Sequence, residues 1–166
     1  LFTERITYAR AEWHLGQTRR PDLSAADQLR HYASAHALYT NLINGYTIAP
    51  QEQRNLAFLR ELAASAYALR GRLELVPEDN PTQALADLQE AITLGKDAGN
   101  RAYWMYLRSQ AHAALGDCDN ARRQLDQAGA LTLQADQDPE QVDRLMHTIE
   151  DFAEHLAEQC TADAAR

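Results

Sequence analysis

The stretch ALADLQEAITL at residues 84–94 and the stretch ARRQLDQAGAL at residues 121–131 carry the same four residues at the same places. Ala84, Leu88, Ala91 and Leu94 stand at offsets 0, 4, 7 and 10, and Ala121, Leu125, Ala128 and Leu131 repeat them 37 residues later (121 − 84). Offsets of three and four put all four residues on one helix face. A small residue lets a neighbouring helix come close, and a larger apolar residue one turn on fills the space beside it. Self-similarity at a fixed period of about 20–50 residues is the mark of a helical solenoid or array. The pattern therefore predicts an all-α chain built of stacked helix hairpins.

Composition agrees. Of 166 residues 45% are hydrophobic, enough for one domain with its own core. Glycine (7) and proline (5) are scarce and fall mostly between periodic segments, and valine occurs only at Val76 and Val142, which leaves little material for a sheet. The formal charge of −8 and the lack of any basic cluster beyond the pairs Arg19-Arg20 and Arg122-Arg123 speak against nucleic acid as a ligand. No apolar run approaches the roughly 20 residues that a membrane-spanning helix needs, so no membrane insertion is expected. Cys118 and Cys160 are too few for a disulfide framework and neither lies in a CxxC, so both are expected to be free thiols in a reducing, cytoplasmic setting. The first residue is Leu1 rather than methionine and no signal-peptide pattern follows, which suggests a fragment of a longer protein or a processed one.

Helix punctuation divides the chain into about seven segments. The first, near residues 2–17, shows Phe2, Ile6, Ala9 and Trp13 at i, i+4, i+7 and i+11, the expected core face. Ser24 with Asp27 opens a second helix whose apolar residues are Leu29, Tyr32, Ala35, Tyr39, Leu42 and Ile43, and Asn44-Gly45 ends it. Pro50 starts a third, reaching Leu75 and carrying Leu56, Leu59, Leu62, Ala63, Ala66 and Leu69. Asn80 caps and Pro81 begins the fourth, Asn100 caps the fifth, and Gly116-Asp117 turns the chain into the sixth. Asp138-Pro139 opens the seventh, in which Val142, Leu145, Ile149, Phe152 and Leu156 form the apolar face. Short gaps make successive helices antiparallel neighbours. The expected hairpins are 2–44, 51–98 and 101–132, with a capping helix at 139–160 covering the last of them.

The run Gly116-Asp117-Cys118-Asp119-Asn120-Ala121, continued by Leu125 and Ala128, resembles the turn and second helix of a tetratricopeptide repeat. Asn80 through Ala84, Leu88 and Ala91 resembles the same unit, and Tyr67 with Gly71 and Met105 with Ser109 match the large and small positions of that family's first helix. The resemblance covers roughly residues 62–132. It implies a short right-handed solenoid of about three degenerate repeats that binds a protein or peptide partner along a concave face lined by the first helices. Carried onto this chain, that face includes Leu69, Arg72, Tyr103, Tyr106 and Gln110. Tyr106 and Gln110 stand where one subset of the family places a clamp for terminal carboxylates, so no such clamp is expected.

Other chemistry is weakly supported. His147, Asp151 and His155 fall at i, i+4 and i+8 and could share a zinc-binding face, but they read as the solvated side of an amphipathic helix. His31 and His36 read as ordinary helix residues. Cys118 with His112 suggests a nucleophile pair only if the repeat turn is ignored, and no HExxH, GxSxG or P-loop occurs. Tyr103, Trp104 and Tyr106, flanked by Arg101 and Arg108, combine the residue types that anchor interfaces. The expectation is a non-enzymatic interaction domain without metal or cofactor. The alternative is a regulatory or self-associating module of a larger signalling or catalytic protein, forming a homo-oligomer.

Overall fold

The computed structural model of the chain describes residues 2–164 and is all-α. Among the described residues the helices are α1 (Phe2–Gln17), α2 (Ala25–Ile48), α3 (Gln51–Arg54), α4 (Ala57–Leu75), α5 (Pro81–Leu94), α6 (Ala98–Ala114), α7 (Cys118–Gln134) and α8 (Pro139–Ala164). None of these helices is long and apolar enough to cross a membrane. Packing runs along the chain: α1 on α2, α2 on α4, α4 on α5, α5 on α6, α6 on α7 and α7 on α8. In addition α4 touches α6, and α6 touches α8. The result is a stack of hairpins α1–α2, α4–α5 and α6–α7, with α8 in the place of a further first helix.

The repeated phrase faces inward through its first three positions, while Leu94 and Leu131 are half-buried. Ala84, Leu88, Ala91, Ala121, Leu125 and Ala128 are all buried. Each hairpin is drawn tight by a small residue on its first helix. A Cβ added to Gly71 of α4 would lie 3.1 Å from Leu88 Cγ and 3.3 Å from the Ala84 carbonyl. At the equivalent place in the next hairpin, the fully buried Ser109 of α6 donates its hydroxyl to the Ala121 carbonyl at 2.7 Å. One close contact thus occurs twice, with glycine in one copy and serine in the other, because only a residue of that size fits between helices this near.

Capping fixes the helix starts. The side chains of Ser24, Asn80, Asp97 and Asp117 accept from the backbone N–H three residues on. The α6 cap is therefore Asp97 rather than Asn100, which puts Ala98 and Gly99 in the first turn. Gly116, with φ +73°, supplies the left-handed residue before α7. Helix α2 does not stop at Asn44-Gly45. Leu42, Ile43 and the half-buried Tyr46 carry it on to Ile48, where Pro50 ends it. The expected third helix is two helices, because Leu56 adopts an extended backbone and separates the single turn α3 from α4.

Two further expectations are corrected. Helix α1 does not bury Phe2, Ile6, Ala9 and Trp13. It buries Ala11 and Leu15, with Tyr8 half-buried, and leaves the other stripe in solvent. The reason lies in α2. Ala11 and Ala35, both fully buried, let the two backbones approach, and the fully buried Tyr39 donates its hydroxyl to Glu12 on the same side of α1. The cysteines are also not free thiols. Cys118, at the start of α7, and Cys160, on α8, are disulfide-bonded with their Cα atoms 5.9 Å apart. A chain separation of 42 residues hides a pairing that antiparallel packing of α7 and α8 creates.

Candidate partner-binding groove

Helix α6 supplies the centre of the site. Tyr103 and Tyr106 are neighbours one turn apart, stacked at 6.1 Å with their ring planes 28° apart. Phe152 of α8 meets Tyr106 edge-on at 5.7 Å, so three aromatic rings form one wall. Gln110 donates to the Tyr106 hydroxyl at 2.8 Å and fixes its direction. Burial pushes the Tyr106 hydroxyl above the usual phenol range, with the negative charge of Asp151 acting the same way. The hydroxyl therefore stays a neutral hydrogen-bonding group at physiological pH.

Against this wall lies a hollow of about 490 Å³, lined by Arg72, Leu75 and Val76 at the end of α4, by Tyr103, Tyr106, Leu107 and Gln110 of α6, and by Thr148 of α8. Two further hollows, of about 320 and 310 Å³, continue it along the seam between α6 and α8. Thr148 borders all three, so they form one groove rather than three separate pits. Among the described residues the half-buried Arg72 side chain makes no hydrogen bond or ion pair. It is a guanidinium at the groove without a carboxylate.

Of the residues singled out from the sequence, Arg72, Tyr103, Tyr106 and Gln110 come together here. Leu69 does not. It packs, half-buried, against the core formed by Tyr39, Leu42 and Leu73, because α4 turns that side toward α2. Trp104 is also core: its ring occupies the space where a Cβ of Gly95 would sit. The contribution of α8 to the groove was missed. Phe152 sits in that helix's apolar spacing, but which of its faces borders α6 depends on how α8 docks.

The remaining candidates do not assemble. His147 and Asp151 are 3.6 Å apart on an exposed face, and no three His, Cys, Asp or Glu residues that could hold a metal ion are found among the described residues. His112 faces Asp117 at 3.1 Å and Cys118 is in the disulfide, so no thiol–imidazole pair exists. His31 pairs with His14, their Nδ1 atoms 2.9 Å apart, and desolvation holds His14 below the usual imidazole range.

A buried polar cluster between the first two hairpins also escaped the sequence reading. Arg70 of α4 grips Asp87 of α5 through two hydrogen bonds, at 2.5 and 2.7 Å, and reaches Thr40 of α2 at 3.3 Å. Glu74, only 3% exposed, lies 3.9 Å from Arg70 and 3.6 Å from His36. One guanidinium faces two buried carboxylates, and Asp87 takes it. Burial, reinforced by Asp87, pushes the Glu74 carboxyl up to about 8. A trace of this was visible: Asp87 stands inside the apolar phrase, and Arg70 and Glu74 are spaced i, i+4.

Comparison with protein-family models and with curated proteins finds no match to this chain.

Proposed function

We propose that this chain is a tetratricopeptide-like, non-enzymatic interaction module that holds an extended protein segment in the groove between α4, α6 and α8. The observation that carries the reading is the convergence of Tyr103 and Tyr106 with the unpaired Arg72 and with Gln110 around one open hollow, continued past Tyr106 by a second hollow that Phe152 lines. Rigid aromatic side chains supply contact area at low entropic cost, and aromatics with arginine are the groups that dominate interface energetics. Gln110 and Thr148 add hydrogen-bonding groups suited to a peptide backbone. The segment such a groove fits carries aliphatic or aromatic side chains, with an acidic one opposite Arg72.

The Cys118–Cys160 bond supports residence in an oxidising compartment, not the cytoplasm that a pair of free thiols implied.

The test is selection from a displayed random-peptide library on the intact chain, followed by affinity measurement on purified peptides. Selected sequences are expected to share apolar residues around an Asp or Glu. Binding is expected to weaken at least about tenfold with Tyr103→Ala and, for the acidic peptides, with Arg72→Gln, each variant keeping its helical circular dichroism. Peptides that bind both variants as well as they bind the parent chain refute the groove.

A further inference from the structure

The α1 helix has an apolar stripe on each side. One, through Ala11 and Leu15, is buried on α2. The other, Phe2, Ile6, Ala9 and Trp13, lies about half a turn away around the helix and faces water, with Phe2 79%, Ile6 45% and Trp13 57% exposed. A helix that is apolar on opposite sides is ordinarily covered on both. The other end of the stack is finished differently. The outer side of α8 exposes Asp143, Arg144, His147, Glu150 and Glu154, a solvated surface. One end of the stack is closed by charge and the other is open and apolar.

We infer that the open stripe of α1 is a self-association surface on which a second copy of this chain docks its own α1, antiparallel, about a two-fold axis. The spacing i, i+4, i+7, i+11 is that of a two-helix seam. An antiparallel alignment that sets Phe2 against the second copy's Trp13 also sets Ile6 against the second copy's Ala9, since both pairs sum to 15. Every large side chain then meets an apolar one. Charge selects the occupant. Arg5 and Glu12, two turns apart, flank the same side of the stripe, and in this alignment Arg5 faces the second copy's Glu12. The two-fold repeats the pair at the other end of the seam. Within the chain the Arg5 guanidinium lies 4.8 Å over the ring of Phe58 and Glu12 accepts from the Tyr39 hydroxyl, so both side chains are ordered at the edge of the stripe. A surface carrying its own complement fits a copy of itself better than an unrelated helix. The seam is distinct from the α6–α8 groove, so its failure leaves the peptide-binding reading untouched.

The experiment is sedimentation equilibrium of the chain over a wide concentration range. The mass is expected to rise from 18.6 kDa toward twice that value, with the midpoint in the micromolar range typical of a small interface. Trp13 emission should shift to the blue as the mass rises, while the buried Trp104 contributes a constant background. Ile6→Arg, at an exposed position, should stay at the monomer mass throughout. Arg5→Glu, which sets like charges together twice, should raise the dissociation constant at least about tenfold. A parent chain that remains monomeric to about 1 mM overturns the proposal. So does an Ile6→Arg variant that associates like the parent, or a mass that grows past two without a plateau, since the latter requires a head-to-tail contact.

Discussion

Removing the disulfide by Cys118→Ser with Cys160→Ser tests how the groove is built. The bond joins residues 42 apart. In the chain-entropy treatment, closing a loop of that length removes about 13 cal/mol/K from the unfolded ensemble, or about 4 kcal/mol at 25 °C. The effect should concentrate on α8. That helix has α7 as its main neighbour, buries only Ile149, Leu156 and Cys160 among its described side chains, and bonds to the rest of the chain through Gln159 on the Ala113 carbonyl at 3.2 Å. A loss of about 4 kcal/mol is large against the net stability of a domain, and larger still against the docking of one helix. Amide exchange followed by mass spectrometry, with and without reductant, is the assay. Peptides from residues 142–160 should lose protection by a factor of several hundred, peptides from α4 and α5 should change little, and the melting temperature should fall by roughly 10 °C. Phe152 and Thr148 leave the groove when α8 leaves, so peptide affinity should fall in parallel. Unchanged exchange in α8 after the cysteines are removed refutes the reasoning, because the helix is then held by its side-chain packing alone.

The remaining predictions concern the interior. Glu74 has its carboxyl raised from the ordinary 4.5 to about 8, so the folded state holds that proton more tightly than the unfolded state does. Its contribution to stability is complete below about pH 4.5, declines as pH rises, and is gone above about pH 8, with a steepest slope near 1.4 kcal/mol per pH unit. Glu74→Gln should therefore melt well above the parent chain at pH 9 and close to it at pH 5, and a gap independent of pH would count against the assignment. Gly71→Ala should cost about 1–3 kcal/mol, because its new Cβ meets the Ala84 carbonyl and Leu88 at 3.3 and 3.1 Å. Gly45→Ala, in the interior of α2 with nothing within 4 Å of the added carbon, should instead stabilise by about 0.5–1 kcal/mol in chemical denaturation. Equal effects at the two glycines would mean that the close approach of α4 and α5 is not real.

The repeat was legible because the same steric problem is solved twice. Wherever α5 and α7 pass closest to their partner helices, alanine recurs at the contact and leucine a turn later, and no other assignment explains both copies. Most of the groove was legible for a related reason: Tyr103, Tyr106 and Gln110 share one helix, so their relation is fixed by the helical repeat alone. What could not be read depends on how elements dock. Arg70, Glu74 and Asp87 are unremarkable until α4 and α5 are laid together, and Cys118 and Cys160 until α8 is laid on α7. The reading of α1 failed for a more instructive reason. Periodicity finds a stripe of large apolar residues and does not say what covers it. The hairpin instead buried the stripe that holds Ala11, since a small residue permits close approach to Ala35 and leaves room for Tyr39. Large residues left outside after that choice are not an error in the pattern. They leave a second apolar stripe on the same helix, and the proposed dimer is what would place the second copy's Trp13, Ala9 and Phe2 against Phe2, Ile6 and Trp13.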